Sequence, residues 1–181
     1  MNTVARVKDL STVKKIALTA FFTVAGVLLP YLTSHAFGIM GTVHLPMHIP
    51  VLLCGLLLGV KYGAVCGFLS PLLSHYITGM PANLPFMPML PIMLVELTLY
   101  GAVSGLLYKN LKLPLFISLP VAMIIGRCGY AIMFAILLSQ NPSIKPLTMP
   151  MAVLTGWVGI LIQLIVIPII LGVAGGKKEN V

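Results

Sequence analysis

Acidic side chains are almost missing from this sequence: three Asp and Glu among 181 residues, against 11 Lys and Arg. Charged residues of both signs make up only 8% of the chain, where a soluble domain carries about 25%. Apolar residues reach 59%, and the mean hydropathy is +1.09. Such a chain is not a water-soluble globule, and it is far too apolar to be disordered. So few acids leave little material for acid–base catalysis or a proton relay. No Walker A pattern is present: Gly175-Gly176-Lys177-Lys178 lacks both its spacing and its Ser/Thr, so the chain does not hydrolyse ATP by itself. GxSxG and HExxH are also absent. Cys54, Cys66 and Cys128 fall in apolar stretches without CxxC spacing and read as small buried packing residues. No enzyme, cofactor or bound metal is expected. The net charge of +8 does not imply nucleic acid, because the basic residues stand singly or in pairs and form no basic face. What remains is a polytopic membrane protein of one domain, residues 1–181.

A spanning helix needs about 20 mostly apolar residues. Six stretches qualify, near 14–33, 45–60, 62–79, 87–108, 113–138 and 149–174, giving an all-α membrane bundle. The second and third are short and meet in a tight turn at Gly59-Val60-Lys61-Tyr62-Gly63. With six spans both ends share a side, and that side holds Arg6, Lys8, Lys14, Lys15, Lys61, Lys109, Lys112, Lys177 and Lys178. The opposite side holds only Lys145. The positive-inside rule therefore places both termini in the cytoplasm. The outer connections, 34–46, 79–88 and 139–148, are longer and rich in Pro and Met. Proline stiffens loops and stops helices, so a structured outer half above a compact inner half is expected.

Charges inside a membrane are expensive, and they usually pair or line a site. Glu96 and Arg127 are the two here. Counted from the outer ends of their spans, both lie roughly 14–16 Å deep at 1.5 Å per residue, so an ion pair is possible. Either the pair is structural or one member meets a ligand; Arg127 is the better candidate, since a guanidinium holds a carboxylate in two places. Tyr100 shares the face of Glu96, and Tyr130 that of Arg127. Gln163 is a further buried polar group suited to an interhelical hydrogen bond. His35, His44, His48 and His75 fall towards the outer half. His44 and His48 have metal-ligand spacing, but Pro46 and Pro50 argue against a regular helix there, and site lining is the expected role. Gly55, Gly59, Gly63 and Gly67 recur every four residues, as do Gly101 and Gly105, which marks close helix packing. Ala17, Thr19, Ala20 and Thr23 give the first span a small-residue surface that either packs internally or docks a partner.

With six spans, cytoplasmic ends and no ATPase motif, the chain resembles the S component of energy-coupling-factor (ECF) vitamin transporters. The texture agrees along its length, from Lys14-Lys15-Ile16-Ala17-Leu18-Thr19-Ala20 through Leu45-Pro46-Met47-His48-Ile49-Pro50 to Glu96-Leu97-Thr98-Leu99-Tyr100-Gly101. The resemblance implies a binding subunit in a prokaryotic cell membrane, taking up a vitamin-like small molecule for import. It implies as partners a transmembrane coupling subunit and two ATPase subunits, which consume the ATP. The stretch around Met47-His48-Ile49-Pro50 and the buried Arg look most like pantothenate members. Site residues are then Arg127, Glu96, Tyr130, Gln163, His48 and Asn83, and the docking residues Ala17, Ala20, Thr19 and Thr23. The family's AxxxA docking pattern is not reproduced, because Phe21 follows Ala17 and Val24 follows Ala20 at plus four. The rival readings are a self-sufficient channel or facilitator, a ligand-free assembly subunit, and a metal-binding S component.

Overall fold

The structure is a computed structural model and describes residues 10–37, 46–84, 87–140 and 148–175, with side chains at all of these except 33–37, 84, 87, 148–155 and 173–175. His44, Lys145, Arg6, Lys8, Lys177 and Lys178 lie outside the described residues, as do most of the loops 34–46 and 139–148 and the side chain of His35. Among the described residues six helices follow one another: α1 (Thr12–Phe37), α2 (His48–Leu58), α3 (Val60–Thr78), α4 (Met89–Ser104), α5 (Leu115–Gln140) and α6 (Thr148–Gly175). A π-helical segment, Gly105–Asn110, carries α4 onward to its basic end. Between α3 and α4, β1 (Asn83–Leu84) and β2 (Met87–Pro88) pair antiparallel, a small ribbon that the all-helical reading did not include.

Residues Thr12–Leu32 of α1, Met89–Asn110 and all of α5 are each long and apolar enough to cross a bilayer. The outward faces of α1, α5 and α6 are stripes of large apolar side chains. Ile16, Phe21, Val24 and Leu28 line α1, Ile124, Ile132 and Ile136 line α5, and Leu161, Ile165 and Ile169 line α6. In a bilayer those stripes face lipid rather than water.

The second span is short, as expected of it, but starts later than 45. The apolar text of 45–60 gives a helix of only 11 residues, about 16 Å at 1.5 Å per residue and so about half of a hydrocarbon core of ~30 Å. Pro50 sits in its first turn, where its missing N–H would have had no intrahelical acceptor anyway. At the other end α2 stops at Gly59, whose φ of +96° few L side chains adopt. The Gly59 N–H donates to the Gly55 carbonyl at 2.8 Å, and α3 begins at the next residue. Lys109 Nζ, from the end of the π segment, donates to the Leu57 carbonyl at 2.7 Å and so caps α2.

α2 is enclosed: nine of its residues are buried, with Val51, Leu52, Cys54 and Leu56 fully so. Around it pack α1, α3, α4 and α6, and the core cluster extends to Leu119, Ala122 and Met123 of α5. The glycines explain the closeness. A side chain on Gly63 would strike the Gly101 carbonyl, and one on Gly67 would strike the Leu97 carbonyl. One on Gly105 would meet Val60 N at 2.6 Å. The expected glycine ladder is thus a seam in which α3 and α2 press on the backbone of α4. Cys54 and Cys66 are buried in this region, whereas Cys128 is exposed on α5. The packing role expected of all three applies to the first two only, because Cys128 points away from the bundle.

Candidate functional site

The glycine seam fixes the height of α4 against α2 and α3, and this decides what lies above it. From the Gly55–Gly101 crossing, α2 rises seven residues to His48 and α4 five to Glu96. At 1.5 Å per residue these are rises of roughly 10 Å and 8 Å, so both side chains reach the same level. His48 Nε2 lies 3.7 Å from Glu96 Oε2. The imidazole also meets the ring of Tyr100 edge-on, with centroids 5.1 Å apart.

α5 supplies the counter-charge. Gly126 lets this helix sit directly on the Tyr100 ring; a Cβ there would overlap its carbons. The next residue is Arg127, whose Nη1 lies 3.0 Å from Glu96 Oε1. That distance is an ion pair, yet the N–H does not point at Oε1, and this oxygen accepts no hydrogen bond. Arg127 also lies over the Tyr130 ring, 5.8 Å from its centroid, a cation–π contact. Tyr130 packs with Ile92 and Phe134 in a second small core cluster.

Several buried polar atoms here have no hydrogen-bond partner. They include Arg127 Nε and Nη2 and both ring nitrogens of His48. Such atoms are rare in folded proteins and each calls for an explanation. Nε and Nη2 share one edge of the guanidinium, and their N–H bonds run parallel, the geometry that receives both oxygens of a carboxylate. Glu96 therefore occupies only one corner of Arg127. Burial is graded across the cluster: the Arg127 side chain is 17% exposed, Glu96 2% and His48 1%.

Among the remaining sequence candidates, Gln163 of α6 is buried and leaves both Nε2 and Oε1 unpartnered, so it makes no interhelical hydrogen bond. Asn83 lies in β1 and is exposed. On α1, Ala17 and Ala20 are exposed, whereas Thr19 and Thr23 turn inward. Their hydroxyls donate to the carbonyls of Lys15 at 2.8 Å and Thr19 at 2.9 Å. The small-residue surface thus divides into an outward alanine face and an inward threonine face. His75 Nδ1 lies 2.9 Å from the Pro81 carbonyl, tying α3 to the connection that follows it. One participant has a weak sequence signal: Tyr100 shares a helix face with Glu96, and nothing else singles it out. Elsewhere on α4, Thr98 also has a buried Oγ1 without a partner. A mid-span hydroxyl resembles an ordinary helix residue until its acceptors are counted.

Searches for similar curated proteins and for similar solved structures return no match. The family described as ECF transporter, substrate-specific component, matches residues 14–171. That range runs from the basic start of α1 to the end of the described core in α6, and takes in every member of the buried polar cluster. The chain belongs to the substrate-specific component family of ECF transporters.

Proposed function

We propose that this chain captures an anionic vitamin-like metabolite, with pantothenate as the best match, from the face opposite its basic ends. The observation that carries the reading is the free edge of Arg127. A buried guanidinium with Nε and Nη2 unpartnered invites an acceptor with two oxygens. The start of α2 supports it, because Met47 offers no side-chain cap and the first N–H groups of a helix favour negative charge. The buried amide of Gln163 offers a donor and an acceptor suited to a hydroxyl or amide elsewhere on the metabolite. Glu96 keeps Arg127 in place and Tyr130 supports its flat face.

Partner subunits supply the ATP-driven step, since this chain has no nucleotide motif. The exposed Ala17 and Ala20 of α1, beside the basic Lys14 and Lys15, form the surface for the transmembrane coupling subunit. Purified protein titrated with a panel of anionic vitamins tests the assignment. Binding of a carboxylate is expected, and Arg127→Lys lowers its affinity about tenfold or more, since a point charge cannot replace the paired donors. Unchanged affinity in Arg127→Lys and Arg127→Ala removes Arg127 as the anchor. Rapid uptake by liposomes holding this chain alone favours a facilitator instead.

A further inference from the structure

We propose that binding of the anion takes up a proton on His48, so that the cluster closes with its charges balanced. The inference rests on the reading of Arg127 as the anion anchor, and concerns what the third member of the cluster does.

The charges can be counted. In the free protein Glu96 is paired with Arg127 at 3.0 Å, so those two cancel. His48 has no hydrogen bond from either ring nitrogen, and its 3.7 Å separation from Glu96 is too long for one. A buried imidazolium there would carry two N–H groups with no acceptor and would leave the site with a net positive charge. Burying a charge under such conditions is strongly unfavourable. When a carboxylate joins the free edge of Arg127, one guanidinium faces two carboxylates. The buried excess becomes negative, and the group within reach that can offset it is the imidazole beside Glu96. Protonation adds one N–H bond on the ring and consumes one proton from solution.

Among the described residues, the surrounding elements offer no competing cation. Tyr100 of α4 and Tyr130 of α5 face the cluster and are neutral as phenols. α6 carries no charged residue and contributes the amide of Gln163. On α1 and α3 the cations are Lys14, Lys15 and Lys61, at the basic ends. Lys109 of the π segment is held there by the Leu57 carbonyl. His75 of α3 is bonded to the Pro81 carbonyl in the connection after that helix. Among the described residues, His48 is the titratable base in contact with Glu96.

Proton linkage is read by titrating the purified full chain calorimetrically with the panel of anionic vitamins. Each titration is run at one pH in phosphate and in Tris, whose ionisation heats differ. An uptake of about one proton per bound carboxylate is expected for the wild type above neutral pH, with affinity falling up to tenfold per pH unit. His48→Gln binds more weakly, with no uptake and little pH dependence. Glu96→Gln also loses the uptake although His48 is intact, because the anion then balances Arg127 alone; a merely structural His48 would not respond to that change. Carboxylate binding that depends on Arg127 but is accompanied by no proton overturns the inference and leaves the anchor standing. Persistent uptake in His48→Gln overturns it as well, by placing the proton elsewhere. Failure of every anionic vitamin to bind overturns the anchor and the inference together. The wild-type comparison between buffers holds even where a variant fails to fold.

Discussion

Two stretches of α4 only one turn apart are built on opposite terms. At Gly101 and Gly105 the helix meets α2 and α3 backbone to backbone, with no room for a Cβ. At Glu96 and Tyr100 it carries a carboxylate and a phenol into a cluster of polar atoms that lack partners. The first stretch gains from dense packing; the second forgoes hydrogen bonds that the fold alone does not provide. The lesson is that the tight seam holds the unsatisfied cluster in register. Unpartnered groups would otherwise shift to find partners, and the neighbouring glycine contacts leave the helix no freedom to do so. In this multi-pass cell-membrane protein, a rigid dry seam and a poised polar site are two parts of one helix.

That contrast can be broken most severely at the seam. Gly101→Leu would drive a side chain into Gly63, whose Cα lies 3.1 Å from the first added atom. Overpacking against backbone costs about 3 kcal/mol or more, and a large loss of thermal stability in detergent is expected. A variant with wild-type melting would mean that α3 and α4 are not in backbone contact. Next comes the ion pair. Glu96→Ala leaves Arg127 buried and uncompensated, a loss of about 3–5 kcal/mol. Combining Glu96→Ala with Arg127→Met is expected to recover part of that loss, which a thermal-melt double-mutant cycle measures. Additive losses would show that the two charges are not coupled. The smallest effect is expected at Ser104, whose single O–H is shared between the Gly101 carbonyl at 3.2 Å and the Leu52 carbonyl at 3.5 Å. Both bonds are long and both carbonyls are in helices, so Ser104→Ala costs about 1 kcal/mol or less. Ligand affinity should not change, because the hydroxyl lies in the seam rather than in the cluster.

Much of this arrangement is legible in the text of the chain. The spans near 62–79 and 113–138 correspond to helices 60–78 and 115–140, because long apolar runs bounded by Gly, Pro and Lys mark their own ends. The meeting of Glu96 with Arg127 follows from equal depth and the expense of isolated charge. The short second span and its turn at Gly59 are legible, but its late start at His48 is not, since the apolar run already begins near 45. Nor is the sidedness of α1: Thr19 and Thr23 resemble the small residues Ala17 and Ala20, yet their hydroxyls bond within the helix and face inward. Apolarity fixes which segments enter a membrane, but the rotation of each helix follows from neighbours far away in sequence. The same limit hid the free edge of Arg127, which depends on which nitrogen Glu96 engages.

The shortness of α2 also bears on how the molecule is made. A helix of 11 residues is too short to span a hydrocarbon core alone. A single residue, Gly59, joins this helix to α3, so the two must enter the bilayer together as a hairpin. Until α4 arrives, the faces of Gly55 and Gly63 that later receive Gly101 stay uncovered. The place of α2 is therefore complete only with α4 against it, and the same contact sets His48 beside Glu96.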